Sequence, residues 1–328
     1  MKKTIKWGIL APGHIAEKFA SDLKLVKNAT LHAVASRSIE RSRDFANRFE
    51  VENYYGSYEE LTKDKDIDVI YIASPHPFHY EHTKLCLNNG KHVLCEKPMG
   101  MNAREVQEMS TLAKEKGLFL MEAFWTQFHP SFKRCMELVN NKEIGDIHTI
   151  NADFGFFVSS ENVNGRLLNK ELGGGALLDI GIYPVFFALT FMGKPDKIIA
   201  NGILGPTGVD LNNQIMFQQN KNQCLANLTS TIQANLPTEA IIAGSKGYLR
   251  LNRMWHCPTS LEISINGKTT TEQFEEAGYG YEHEAEEVTQ CLLEEKQESN
   301  IFPISKSMLL HSTLDEVRRQ IGLKYKSD

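Results

Sequence analysis

The sequence predicts an α/β domain built on a doubly wound parallel sheet, followed by an α+β domain with a large, mostly antiparallel open sheet. Three observations carry this. The chain has 328 residues, beyond the size at which one hydrophobic core keeps growing, so two domains are expected. In roughly the first 127 residues, short β-branched runs alternate with longer helical stretches, the pattern of βαβ units around a parallel sheet. Beyond Gly145-Asp146 strands dominate, with turns such as Asn266-Gly267 between several of them, which reads as antiparallel pairing.

Taken in order, the first half offers strands at residues 5–11, 30–36, 69–73, 92–95 and 118–122, with helices between them. In the helix expected at 103–116, Val106, Met109, Leu112 and Ala113 recur on one face, Asn102 can cap the start and Gly117 can end it. A helix follows near 130–139. Strands are then expected at 147–157, 197–204, 214–218, 224–232, 239–243, 248–251, 261–265 and 270–274. A helical segment at 174–191 interrupts them, and helices at 282–293 and 305–321 close the chain, where they could return to cover the first domain. The boundary falls in a short connection, giving domains at 1–125 and 126–328.

Composition narrows the function. Hydrophobic residues make up 41% and charged residues 23%, ordinary for a folded chain, and no apolar run approaches the roughly 18 residues of a membrane span. A net charge of -5 without a basic run argues against nucleic acid. A small molecule is the expected partner. The cysteines at 86, 95, 135, 224, 257 and 291 form no C-x-x-C pair, as expected of reduced structural thiols, and no metal is implied. Met1-Lys2-Lys3-Thr4 runs straight into a strand, leaving no room for an export signal, so a cytoplasmic location is expected.

The first strand runs into Ala11-Pro12-Gly13-His14-Ile15-Ala16, where a dinucleotide fold places G-x-G-x-x-G/A so that backbone amides and a helix N-terminus meet a pyrophosphate. Ala11 stands in for the first glycine. The second strand ends at Ser36-Arg37-Ser38, about twenty residues on. An NAD site usually has an acid there for the ribose hydroxyls; hydroxyls and a guanidinium suit a 2′-phosphate instead, so NADP(H) is the expected cofactor. Cys95-Glu96-Lys97-Pro98 ends another strand, and Lys97 would point into the crevice outside the carboxyl ends of the sheet. In the second half, Gly173-Gly174-Gly175 opens a helix on which Asp179 and Tyr183, four apart, share a face. The spacing of His76, His79 and His82 invites a metal reading, but Pro77 puts His76 at or before the helix start and His82 turns away from it, so none is expected.

Together these pieces resemble the Gfo/Idh/MocA oxidoreductase family along essentially the whole chain. Its E-K-P is Glu96-Lys97-Pro98, and its G-G-G-x-L-x-D-x-G-x-H/Y runs from Gly173 to Tyr183. Met121 to Thr126, Arg166-Leu167-Leu168-Asn169 and Gly280-Tyr281-Glu282 look like the branch that holds dimeric dihydrodiol dehydrogenase, NADP-dependent D-xylose 1-dehydrogenase and glucose-fructose oxidoreductase. The resemblance implies a Rossmann domain that binds NADP(H) through Ala11, Gly13, His14, Ile15, Ser36, Arg37, Ser38, Ser74, Pro75, His79, Glu96 and Lys97. It implies Lys97, Tyr183 and Asp179 as catalytic groups, with Trp125 and Arg166 on the substrate side and His82 at the surface. His76 departs from the family, where many members carry Asn after the proline.

The expected chemistry is hydride transfer between nicotinamide and a carbinol carbon of a sugar or trans-dihydrodiol, with Tyr183 moving the hydroxyl proton. The phenolate of a tyrosine needs a neighbouring cation, supplied by Lys97 or the oxidised nicotinamide, and Asp179 would orient Lys97 or a substrate hydroxyl. Two rivals are a regulator that only senses NADP and a sugar–sugar oxidoreductase that retains its nucleotide. The second-domain sheet has one face left to cover, so a homodimer or homotetramer through that face is expected.

Overall fold

In the computed structural model, which describes residues 4–159, 165–257 and 259–328, the first half alternates strand and helix as its pattern demands. The leader reading at residues 1–3 lies outside the described residues. The elements are β1 (Ile5–Leu10), α1 (His14–Leu23), β2 (Ala29–Ala35), α2 (Ile39–Phe49), β3 (Asn53–Tyr55), α3 (Tyr58–Lys63), β4 (Val69–Ile72), α4 (His79–Asn88), β5 (His92–Glu96), α5 (Ala103–Lys116) and β6 (Leu120–Ala123). They form a parallel sheet in the order β3-β2-β1-β4-β5-β6. The order reverses between β1 and β4, the switch point at which doubly wound sheets bind ligands.

Local chemistry explains these elements. Every residue of β4 is buried, as a central parallel strand covered on both faces must be. Asn102 caps α5 by accepting the Glu105 N–H at 2.9 Å, and Gly117 ends it at φ +66. The sequence pattern passes over β3, which is only three residues long and carries no periodicity to detect.

The second half contains α6 (Pro130–Asn140), β7 (Ile147–Gly155), α7 (Ile182–Met192), β8 (Lys197–Leu204), β9 (Asp210–Gln219), β10 (Cys224–Thr231), β11 (Ala240–Gly244), β12 (Gly247–Leu251), β13 (Ser260–Ile265) and β14 (Lys268–Gln273), with α8 (Glu282–Leu293) and α9 (Ile304–Ile321) closing the chain. The sheet runs β14-β13-β12-β11-β7-β10-β9-β8, and only β7 and β10 pair in parallel. One face buries Ile150, Phe217, Leu228, Ile242 and Leu249, and α7 packs against β7 and β10.

Two expectations need correction. The described chain groups into one unit holding Met1–Gln127 with Glu276–Met308 and a second holding Phe128–Glu275 with Leu309–Asp328. The second domain is therefore not the continuous stretch 126–328: α8 belongs with the first unit, because its apolar positions Ala285, Val288 and Leu292 are buried there. The stretch Lys170–Met192 is also long and apolar enough to cross a membrane, contrary to the composition reading. It is a core helix, with 89% of its most apolar window buried.

Candidate active site

The turn after β1 keeps the geometry of a dinucleotide fingerprint despite its alanine. Ala11 sits at φ +69, a left-handed conformation that costs a non-glycine residue about 1 kcal/mol. Its carbonyl accepts the Gly13 N–H at 2.9 Å, and Gly13 leads into α1. Gly13 itself has φ −104, open to any residue, and a Cβ built on it would meet nothing within 4 Å. Neither its own backbone nor a protein neighbour requires glycine there. Gly13 is the N-cap of α1, whose first residues His14 and Ile15 are exposed while Ala16 is fully buried. A pyrophosphate fits this cradle.

At the end of β2 the three expected groups separate. The Ser36 hydroxyl is buried and accepts the Ser38 N–H at 3.3 Å. The Ser38 hydroxyl caps α2 through Arg41 N and donates to Glu40 at 2.7 Å. Arg37 alone is exposed, beside the half-buried Tyr58, whose hydroxyl burial pushes up and the guanidinium pulls back.

The loop after β5 is held by three groups, of which His79 and Glu122 are fully buried. Glu96 accepts from the Tyr71 hydroxyl and from the Lys97 N–H at 3.1 Å, and burial pushes its carboxyl up. His79, fully buried, has Nδ1 2.7 Å from Pro98 O and Nε2 2.6 Å from Ser74 O. Burial pushes its imidazole down, and a neutral ring can donate to only one of the two carbonyls. Glu122 accepts the Met99 N–H at 2.9 Å from the end of β6. Lys97 therefore projects from a braced turn, its bond to Pro98 cis. Glu96 and His79 act here as supports joining the loops after β4 and β5. Pro75 precedes the short 3₁₀ turn at His76–Phe78, and His76 is buried.

His82 is half-buried rather than fully exposed. Its Nδ1 lies 2.9 Å from the Ser74 hydroxyl, its ring packs on Phe78 and Tyr58, and burial pushes its pKa down to about 4. Trp125 stacks on Tyr281 at 4.6 Å between ring centres within the same unit.

In the second unit the glycines serve the protein's own backbone. A Cβ on Gly174 would lie 2.6 Å from the carbonyls of Arg166 and Leu167, and Gly175 sits at φ +118. The close approach read from the sequence is that of the 166–169 segment. The helix that follows begins with a π turn, Leu177–Gly181, before α7 takes over. Such turns recur at functional sites, and this one loosens the one-turn stacking of Asp179 and Tyr183 that a pure α-helix would impose. Asp179 is ion-paired to Arg166 at 2.8 Å. Tyr183, 5% exposed, faces Phe154, His256 and Trp255, with ring centres 5.6, 5.3 and 6.4 Å away.

Sequence reasoning passed over Glu122, Phe154, Trp255 and His256. A charged residue inside the apolar strand β6 was the one available signal, for Glu122. Phe154 reads as core by strand alternation, and nothing local marks His256.

A six-stranded parallel sheet in this order, with the turn after β1 leading into a helix at the switch point, defines a dinucleotide-binding Rossmann domain. The chain belongs to the Gfo/Idh/MocA oxidoreductase family: the model for its NAD-binding Rossmann fold matches residues 5–124, and that for its C-terminal domain residues 132–250. The trans-1,2-dihydrobenzene-1,2-diol dehydrogenases of Xenopus tropicalis and Mus musculus are 42% and 38% identical, over 98% and 99% of this chain and 99% of each relative. A 3-ketoreductase from Actinomadura kijaniata, solved with NADP and TDP-benzene, superposes with a TM-score of 0.87 at 25% identity, covering 97% of this chain and 98% of that one. An aldose-aldose oxidoreductase from Caulobacter crescentus shares the fold, with a TM-score of 0.88 at 20% identity over 97% of both chains.

Proposed function

We propose that this enzyme is an NADP(H)-dependent dehydrogenase acting on a trans-dihydrodiol or a related sugar carbinol. The observation that carries the reading is full-length similarity, at 36–42% identity, to enzymes named for trans-1,2-dihydrobenzene-1,2-diol. Gly13, His14 and Ile15 would hold the pyrophosphate and Arg37 the 2′-phosphate. Lys97 would hold the reacting end, with Ser74, Pro75, His79 and Glu96 shaping its loops. When bound, NADP(H) supplies or takes the hydride. Tyr183 takes the hydroxyl proton in oxidation and returns it in reduction. Its phenolate, costly near the free-tyrosine pKa of ~10, needs a cation to favour it, for which Lys97 and the oxidised nicotinamide are the candidates. Asp179 orients this chemistry through its pairing with Arg166, and Trp125 contributes to substrate binding. Free thiols at all six cysteines favour a reducing, cytoplasmic setting.

The test is a rate panel of trans-dihydrodiols and aldoses with NADP or NAD, followed by nicotinamide absorbance. Dihydrodiol turnover with NADP is expected. In Arg37→Ala, NADP affinity is expected to fall by at least about tenfold while NAD affinity holds, because a phosphate contact of this kind is charge-assisted. Equal losses for both nucleotides would remove Arg37 from the phosphate site, and no turnover of any carbinol would favour an NADP-sensing regulator.

A homodimer or homotetramer through the open face of the second-unit sheet is part of the same proposal. That face carries Ile203, 56% exposed, and Leu225, 45% exposed, and the strand register puts Met216 and Ile241 on the same side. Apolar side chains spread over an uncovered sheet favour self-association. Analytical ultracentrifugation at micromolar concentration is expected to give a dimer or larger species, and a stable monomer would contradict it.

A further inference from the structure

We infer that Asp210 is a positioning residue for Tyr183, acting through the first turn of the helix that carries it. The inference rests on the proton-transfer reading of Tyr183. Asp210 opens β9 and is fully buried. Its Oδ2 accepts the Leu177 N–H at 2.6 Å and the Asn213 side-chain amide at 2.6 Å. Leu177 is the first residue of the π turn that leads to Asp179 and Tyr183. The same Asn213 amide reaches the Ser230 hydroxyl at 3.2 Å, tying the carboxylate into β10.

Packing of the turn around this carboxylate is close. A Cβ on Gly175 would collide with Asp210 Oδ1, and one on Gly181 would lie 2.6 Å from the Ser230 hydroxyl. The Tyr325 hydroxyl, 3.2 Å from the same Cβ position on Gly175, donates to Gly174 O at 2.6 Å. The chain Ser230–Asn213–Asp210–Leu177 thus transmits the position of two sheet strands to the start of the helix. A buried anion facing helix N–H groups is also favoured by the helix dipole. Burial pushes this carboxyl up, and the donors from Asn213, Leu177 and Ala176 oppose that only in part. A purely stabilising acid would need none of this register. One that sets where a proton-transfer hydroxyl sits would, because misplacement by about 1 Å can cost on the order of 10²-fold in rate.

The experiment is a double-mutant cycle of Asp210→Ala with Tyr183→Phe in the full chain, assayed on a trans-dihydrodiol with NADP. Kinetics are normalised to folded protein, and melting temperature and NADP affinity are recorded for each variant. In the Tyr183 background, Asp210→Ala is expected to lower kcat by about 10–100-fold with less than about a threefold change in KM. Asp210→Asn, which can keep an oxygen at the Oδ2 position, is expected to restore most of kcat. In the Tyr183→Phe background the same loss is expected to vanish, since neighbouring groups acting as one unit are non-additive. Should Asp210→Ala fail to fold, Asn213→Ala, which removes the brace while leaving the carboxylate, runs through the same cycle with the same expected non-additivity. Losses that multiply across the cycle, or a lower melting temperature with unchanged kcat, would overturn the inference. If Tyr183→Phe alone left kcat near wild type, the reading of Tyr183 would fail separately, and with it the inference built on it.

Discussion

Replacing Tyr183 with phenylalanine is expected to lower kcat by about 10²–10⁴-fold, the usual worth of general acid–base catalysis and roughly 3–5 kcal/mol of barrier. The ring stays, so its contacts with Phe154, His256 and Trp255 persist and only the hydroxyl is lost. NADP affinity should change little. A tyrosine that served only packing would behave differently: losing its hydroxyl would cost about 1 kcal/mol of stability and leave turnover near wild type. Measuring kcat, nucleotide affinity and melting temperature on one preparation separates the two. Retention of more than about a tenth of wild-type kcat would move the proton-transfer role to Lys97.

Glu284→Gln is expected to make stability less sensitive to alkaline pH. Glu284 lies on α8 with no exposed surface, and neither carboxylate oxygen has a hydrogen-bond partner among the described residues. Burial pushes its carboxyl well up, and the nearby charges of Glu96 and Asp22 push the same way. An acid whose folded pKa is raised binds more protons folded than unfolded, so its contribution falls as pH rises from the ordinary glutamate range towards the raised value. One proton of this kind costs about 1.4 kcal/mol per pH unit inside that window. Between pH 5.5 and 7.5 the melting temperature of Glu284→Gln relative to wild type should therefore climb by up to roughly 4 °C. A buried amide has costs of its own, but they do not depend on pH, so the test is the growth of the difference. A difference that stays constant across that range would show that Glu284 is ionised in the fold. Asp22, held by the Tyr279 and Tyr281 amides and pushed up to about 6, titrates in both proteins and does not enter the comparison to first order.

Much of the fold was legible because it is written locally. Periods of two and 3.6, Asn102 and Gly117 at the ends of α5, and Asn266-Gly267 between β13 and β14 each act over a few residues, so they mark elements without knowledge of what those elements touch. The lysine before Pro98, the arginine at the end of β2 and the Asp179–Tyr183 spacing were visible for the same reason. β3 escaped because three residues, none of them buried, hold no pattern.

By itself, then, the sequence determined the two sheets, their order of elements and the residue types offered to a nucleotide and a proton. Only tertiary structure decided what each offered group faces. It buried His79 between two carbonyls and turned Ser36 and Ser38 to their own backbone, leaving Arg37 exposed. It set the three glycines against the chain at 166–169, and seated the Tyr183 helix on Asp210, a residue 27 positions further on that no spacing rule connects to it. The physical reason is that hydrogen-bond partners and close packing depend on distance in space, and segments far apart in the chain become neighbours only when the sheets close.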